Sequence, residues 1–202
     1  MSATLSPLRS MATAQVGPRA FRWTLALFHR LGDLGCFEGR RAKLIDGQLI
    51  EEGPMDPPHA LALERSDAVL REAFGRGWRF RIQTPLVLSQ TTDPLPDIAV
   101  IRGSVQGQTT HPTAADLVVE VADSSLNFDL TTKAELYATA GILDYWVLDV
   151  DGRTLHVLRD PVPLSQGLGA TAYRTHLTMA ETDTVSPLAA PGANIKIADL
   201  LP

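Results

Sequence analysis

The apolar and polar positions along the chain follow two periods in turn. Phe21, Leu25, Phe28 and Leu31 recur at helical spacing and predict an amphipathic helix ended by Gly32. The run AKLIDGQLIEEG, residues 42–53, sets two short apolar stretches around Asp46-Gly47, a strong local signal for a hairpin. Pro57 and Pro58 lead into a longer helix, His59 to Phe74. Its Leu63, Ala68, Val69, Leu70 and Phe74 fall mostly on one side, and Gly75 closes it.

The period then shortens. Arg79 to Gln83 and Leu86 to Ser89, separated by Pro85, predict two strands or one bent edge strand. The Pro94-Leu95-Pro96 turn delivers Asp97 at the head of the apolar run IAVI, and the polar residues 103–115 predict a loop. Asp116 opens LVVEVA, apolar except for Glu120. Asn127 reads as the N-cap of a helix from Phe128 to Ala140 that Gly141 stops. Tyr145–Asp149 and Thr154–Leu158 predict strands joined at Asp151-Gly152, and Tyr173–Met179 a further one. The segment from LVVEVA through the helix to YWVLD reads as a βαβ crossover, because both strands are apolar on both faces. The expected fold is α/β: a central mixed sheet flanked by helices, with antiparallel additions at its edges.

Composition narrows the picture. A chain of 202 residues suits one domain with a real core. No apolar run approaches the roughly 20 residues of a membrane span. Residues 1–20 lack the apolar centre of a secretory signal and read as a disordered tail. Cys36 is the only cysteine, so no disulfide forms within the chain and a cytoplasmic setting is expected; it reads as a small, half-buried residue beside Phe37. Eighteen basic and 23 acidic residues give a net charge of −5, which argues against coating nucleic acid by bulk charge but leaves room for a nuclease with a local basic rim.

Glu120 carries the strongest chemical signal. A carboxylate inside an apolar strand costs several kcal/mol unless a cation, a base or a hydrogen-bond network compensates it. Asp97 stands in a similar position on the neighbouring run. If the two strands pair across the 103–115 loop, the carboxylates approach one point and, with a backbone carbonyl, offer hard oxygen donors suited to Mg²⁺ or Mn²⁺. Lys133 lies on the following helix in one stripe with Asp129 and Tyr137. A surface Asp129–Lys133 pair is the plain alternative for that spacing, and Tyr137 and Trp146 read as core. Ser124-Ser125 reads as a turn.

In order, the chain carries Leu44-Ile45-Asp46-Gly47, His59, Pro96-Asp97-Ile98-Ala99-Val100, Asp116 to Val121, Asp129 with Lys133, Tyr137 and Gly141, and Tyr145 to Asp149. This series resembles the Uma-two family of bacterial restriction endonucleases, a branch of the PD-(D/E)XK superfamily, over about residues 20–160. The resemblance implies a restriction-endonuclease-like core over residues 21–160, with 161–202 a β-rich extension of the same domain. It also implies Mg²⁺- or Mn²⁺-dependent hydrolysis of DNA, with Asp97, Glu120 and the Val121 carbonyl on the metal and Lys133 as the catalytic lysine. His59, Asp129 and Tyr137 are supporting candidates, and a homodimer suits cutting of both strands. Two departures stand out: Ala122 occupies the usual lysine position of the superfamily, and Lys43 stands where the family usually has an acid. The second reading is a nuclease fold used for binding or assembly without catalysis, in which Glu120 and Lys133 form a buried ion pair.

Overall fold

A computed structural model describes residues 18–104, 106, 109–164 and 171–202, so most of the expected N-terminal tail lies outside the described residues. Helix α1 (Leu25–Asp33) starts at a Thr24 cap, after Phe21, and runs through Gly32. Phe21 and Cys36 are both exposed, so Phe21 does not belong to the helix stripe and Cys36 is not half-buried. The hairpin β1 (Arg41–Ile45) and β2 (Gln48–Glu52) forms as expected. Its turn residues Asp46 and Gly47 both have positive φ, 45° and 72°, which the twist of a two-residue hairpin favours. A side chain at position 47 would also meet Arg22 and the Trp23 carbonyl.

Helix α2 (Pro57–Phe74) begins two residues earlier than expected, because Asp56 caps it and the two prolines fill the first turn, where no amide bond is lost. The central sheet has six strands in the order β3 (Trp78–Ile82), β4 (Ile98–Arg102), β5 (Leu117–Ala122), β6 (Asp144–Asp149), β7 (Thr154–Pro163) and β8 (Thr171–Ala180). Only the β5–β6 pair is parallel, as the crossover predicts. Leu86–Ser89 is not a strand. Gln83 turns the chain at φ 48°, and the amides of Leu86, Val87 and Leu88 bond separately to Pro94, Pro112 and Thr92. A short pair, β9 (Thr184–Val185) and β10 (Ile195–Lys196), and a final 3₁₀ turn (Ile197–Asp199) carry Ile197, Leu200 and Leu201 into the core.

The helical segment after β5 is not a uniform α-helix. It comprises α3 (Leu126–Phe128), a π turn (Asp129–Lys133) and α4 (Ala134–Thr139), with α-region backbone at the junction residues Phe128, Asp129, Lys133 and Ala134. Asn127 lies inside it rather than capping it. Ser125 holds the cap position, but its hydroxyl donates to Asp129 and, among the described residues, accepts from no backbone amide of the helix.

Two apolar layers sandwich the sheet. Leu63, Leu70 and Phe74 of α2 pack on Leu117, Val119, Val121, Trp146 and Leu148. Ala134 and Tyr137 pack on Val118, Ala122, Tyr145 and Val147 on the other side. Side chains alternate along a strand. Glu120, lying between Val118 and Ala122, therefore points towards the π turn and α4.

Candidate functional site

The register of the sheet brings the two acids together. Strand β4 runs antiparallel to β5 with Ile98 opposite Val119; one step further along, Asp97 stands opposite Glu120. The Asp97 amide donates to Glu120 Oε2 at 3.4 Å, and the Val121 amide donates to Asp97 Oδ2 at 2.8 Å. Lys133 reaches the same point from the π turn, its Nζ 2.9 Å from Glu120 Oε2 and 2.7 Å from Asp129 Oδ1. Tyr137, one turn on, donates its hydroxyl to Glu120 Oε1 at 2.7 Å. Asp97, Glu120, Asp129, Lys133 and Tyr137 are all buried. The Asp129–Lys133 pair is thus no surface bridge, and Tyr137 is both core and a partner of the acid.

His59, in the first turn of α2, places Nε2 3.2 Å from Asp97 Oδ1. Gln83, at the left-handed turn after β3, donates to the same oxygen at 2.9 Å. Sequence reasoning missed Gln83, whose position depends on a backbone conformation that no local pattern announces. Asp97, Glu120, Val121, His59 and Lys133 line one cleft of about 380 Å³.

The electrostatics follow from burial and crowding. Burial pushes the Glu120 carboxyl up; Lys133 and the Tyr137 hydroxyl oppose this, Asp97 and Asp129 add to it, and the result is about 7. Burial also pushes Asp97 up, but the His59 bond and charge, with donors from Gln83 and Val121, outweigh it and leave Asp97 below the usual carboxylate range. Burial disfavours a charged His59, yet Asp97, Asp123 and Asp56 pull its pKa upward. Lys133 resists loss of its proton: burial opposes the charge, but Glu120 and Asp129 more than offset it.

These shifts predict a pH dependence of stability. Glu120 binds its proton more tightly folded than unfolded, so its contribution is fully present below about pH 4.5 and is lost as pH rises through about 7. Thermal unfolding of metal-free protein between pH 5 and 7.5 is expected to show this decline in wild type and a shallower one in Glu120→Gln. Equal slopes would show that Glu120 ionises in the fold as it does in water.

Asp97 and Glu120 each have three hydrogen-bonding or ionic partners, while a carboxylate offers about four acceptor positions. Each therefore keeps room for a cation, and Lys133 and His59 together face the three carboxylates of Asp97, Glu120 and Asp129. Together with the Val121 carbonyl this all-oxygen donor set fits a small hard cation. Among the described residues no group of three or more His, Cys, Asp or Glu side chains is arranged to hold a metal, so such an ion would rely on backbone and water oxygens for the rest of its shell.

A mixed sheet between two helical layers, with acids meeting at the β4–β5 junction, defines a restriction-endonuclease-like α/β domain. The chain belongs to the Uma2 family, described as "Putative restriction endonuclease", which matches residues 26–198. That match extends beyond the 20–160 stretch expected from the motifs. Among solved structures, "a putative nuclease belonging to DUF820" from Anabaena variabilis superposes with a TM-score of 0.58 at 17% identity, covering 79% of this chain and 88% of that one. At that identity the likeness is one of fold. No curated protein matches the chain. Among the described residues no helix is long and apolar enough to cross a membrane.

Proposed function

We propose that this protein is a Mg²⁺- or Mn²⁺-dependent endonuclease that hydrolyses DNA phosphodiester bonds. The observation that carries this reading is the meeting of Asp97, Glu120 and Lys133, from the residue just before β4, from β5 and from the π turn, at one cleft. Asp97 and Glu120, with the Val121 carbonyl, would hold the ion. When bound, such an ion polarises a phosphoryl oxygen, acidifies a water and offsets charge on the leaving oxygen.

The chain's own groups supply the rest. Asp97, kept ionised by His59, Gln83 and the Val121 amide, is a fixed anionic ligand. Lys133, held as an ammonium by Glu120 and Asp129, directs a donor into the cleft that orients the attacking water and screens negative charge developing on phosphate. Ser125 donates to Asp129 Oδ2 at 2.5 Å, which leaves Oδ1 to Lys133. Two copies related by a twofold axis would cut both strands of a duplex, and the absence of a disulfide suits a cytoplasmic setting.

The 2.9 Å Lys133–Glu120 pair favours a second reading, a binding or assembly module in which the lysine alone neutralises the acid. Calorimetric titration with Mn²⁺ separates the two. The nuclease reading expects saturable binding and Mn²⁺-dependent nicking of plasmid DNA. A flat titration together with intact plasmid would leave only the second.

A further inference from the structure

Lys43, 3% exposed, is buried at least as deeply as Lys133 and lines the same cleft from β1. The fold gives it much less to hold. An ammonium has three donors, and among the described residues Lys43 has one hydrogen-bond partner, Glu52. That carboxylate is shared, since Arg41 also donates to it at 3.2 Å. Both ammonium groups lie near the ring of Phe128, Lys43 Nζ 5.8 Å and Lys133 Nζ 6.0 Å from its centroid. Lys133 is held by two carboxylates, whereas Lys43 has donors to spare.

The hairpin adds Arg41 and Lys43 against Glu52 to a cleft whose other lining includes Asp97, Glu120, Asp56 and Asp123 with His59 and Lys133. The hairpin side continues outward: a second concavity of about 580 Å³ shares Arg41, Glu52, Gly53 and Pro54 with the cleft and adds Arg40. Arg40 has one carboxylate partner, the half-exposed Glu51 at 3.0 Å.

Building on the nuclease reading, we propose that Lys43 is a substrate-binding residue that holds a nonbridging oxygen of a backbone phosphate, and that Arg41 and Arg40 carry the nucleic-acid strand out of the cleft along the hairpin. A buried ammonium with free donors, facing a cavity beside an acidic site, suits an anion. A strand bound at the acids passes Lys43 before it reaches the two arginines. No bond is made or broken at Lys43, so its loss weakens binding rather than chemistry.

The test is steady-state cleavage of a supercoiled plasmid by the full chain in Mn²⁺ over a range of KCl. Lys43→Met is expected to raise KM about tenfold, the size of one charge-assisted hydrogen bond, with kcat within about threefold of wild type. The slope of log kcat/KM against log salt should fall by about 0.9, the effect of one lost phosphate contact. Lys43→Arg should recover most of the loss, and Arg153→Ala, on the β6–β7 turn, should match wild type. Lys43→Gln keeps a donor for Glu52 without the charge, so it reads the charge alone should the methionine variant fail to fold. Wild-type KM and salt slope in Lys43→Gln, or a fall confined to kcat in either variant, would overturn the proposal and leave the nuclease reading standing. A wild-type chain that cuts nothing would overturn both.

Discussion

Glu120→Gln is expected to lower Mn²⁺-dependent cleavage by about a hundred- to a thousandfold, the range found when one group that stabilises the transition state is removed. It should also erase the heat of Mn²⁺ binding. The amide keeps the shape of the side chain and can still meet Tyr137 and Lys133, which now contact its two oxygens. It need not ionise in a place where burial pushes the acid to about 7. The fold should therefore survive, with an unchanged circular dichroism spectrum and a melting temperature close to wild type at neutral pH. Cleavage at the wild-type rate by the folded variant would remove Glu120 from the mechanism.

Lys133→Met is expected to act on stability as well as activity. Its ammonium is the only cationic group within salt-bridge distance of Glu120 and Asp129 among the described residues. Removing one partner of a buried ion pair costs about 3–5 kcal/mol, or roughly 6–20 °C in melting temperature for a domain of this size. Part of the cost is relieved because Glu120, without the lysine, takes up a proton more readily. A divalent cation that binds the native acids should restore part of the rest, since a ligand of the folded state stabilises it by mass action. Melting curves with and without Mn²⁺ measure both effects. An unchanged melting temperature without metal would show that Lys133 does not hold the acids in place.

Much of this arrangement could be read from residue pattern because its causes are local. Asp46-Gly47 sets its turn through backbone preference, whereas the β6–β7 turn forms at Asp151-Gly152 as expected but takes its left-handed residue at Arg153. The continuous apolar run around Glu120 marks a strand covered on both faces. The meeting of Asp97 and Glu120 also follows from pattern, since both lie on strands expected to pair. Other features depend on distant contacts. Leu86–Ser89 has a strand-like composition, yet Gln83 turns it away and its amides bond to the 92–94 turn and to Pro112 rather than to a neighbouring strand. The burial of Lys43 depends on how the hairpin closes against Phe128, a contact across 85 residues of sequence. Asp144, fully buried and bound by Arg159, Trp146 and the Leu188 amide, looks from sequence like the ordinary start of a strand. The π turn had no signature in the spacing: Asp129, Lys133 and Tyr137 at intervals of four fit an α-helix equally well.

That wide turn sets where the lysine points. Each residue of an α-helix advances the azimuth by about 100°, and a π turn takes up one extra residue within a single loop of the coil. Were the segment to rewind into regular α geometry, everything on one side of it would swivel by about that angle relative to the other. Lys133 and Tyr137 could then no longer both face Glu120 while Ser125 and Asp129 kept their places. The winding of five residues thus acts as a rotational setting for the corner that Lys133 occupies, held against the sheet by the Tyr145 hydroxyl, which donates to the Asp129 carbonyl.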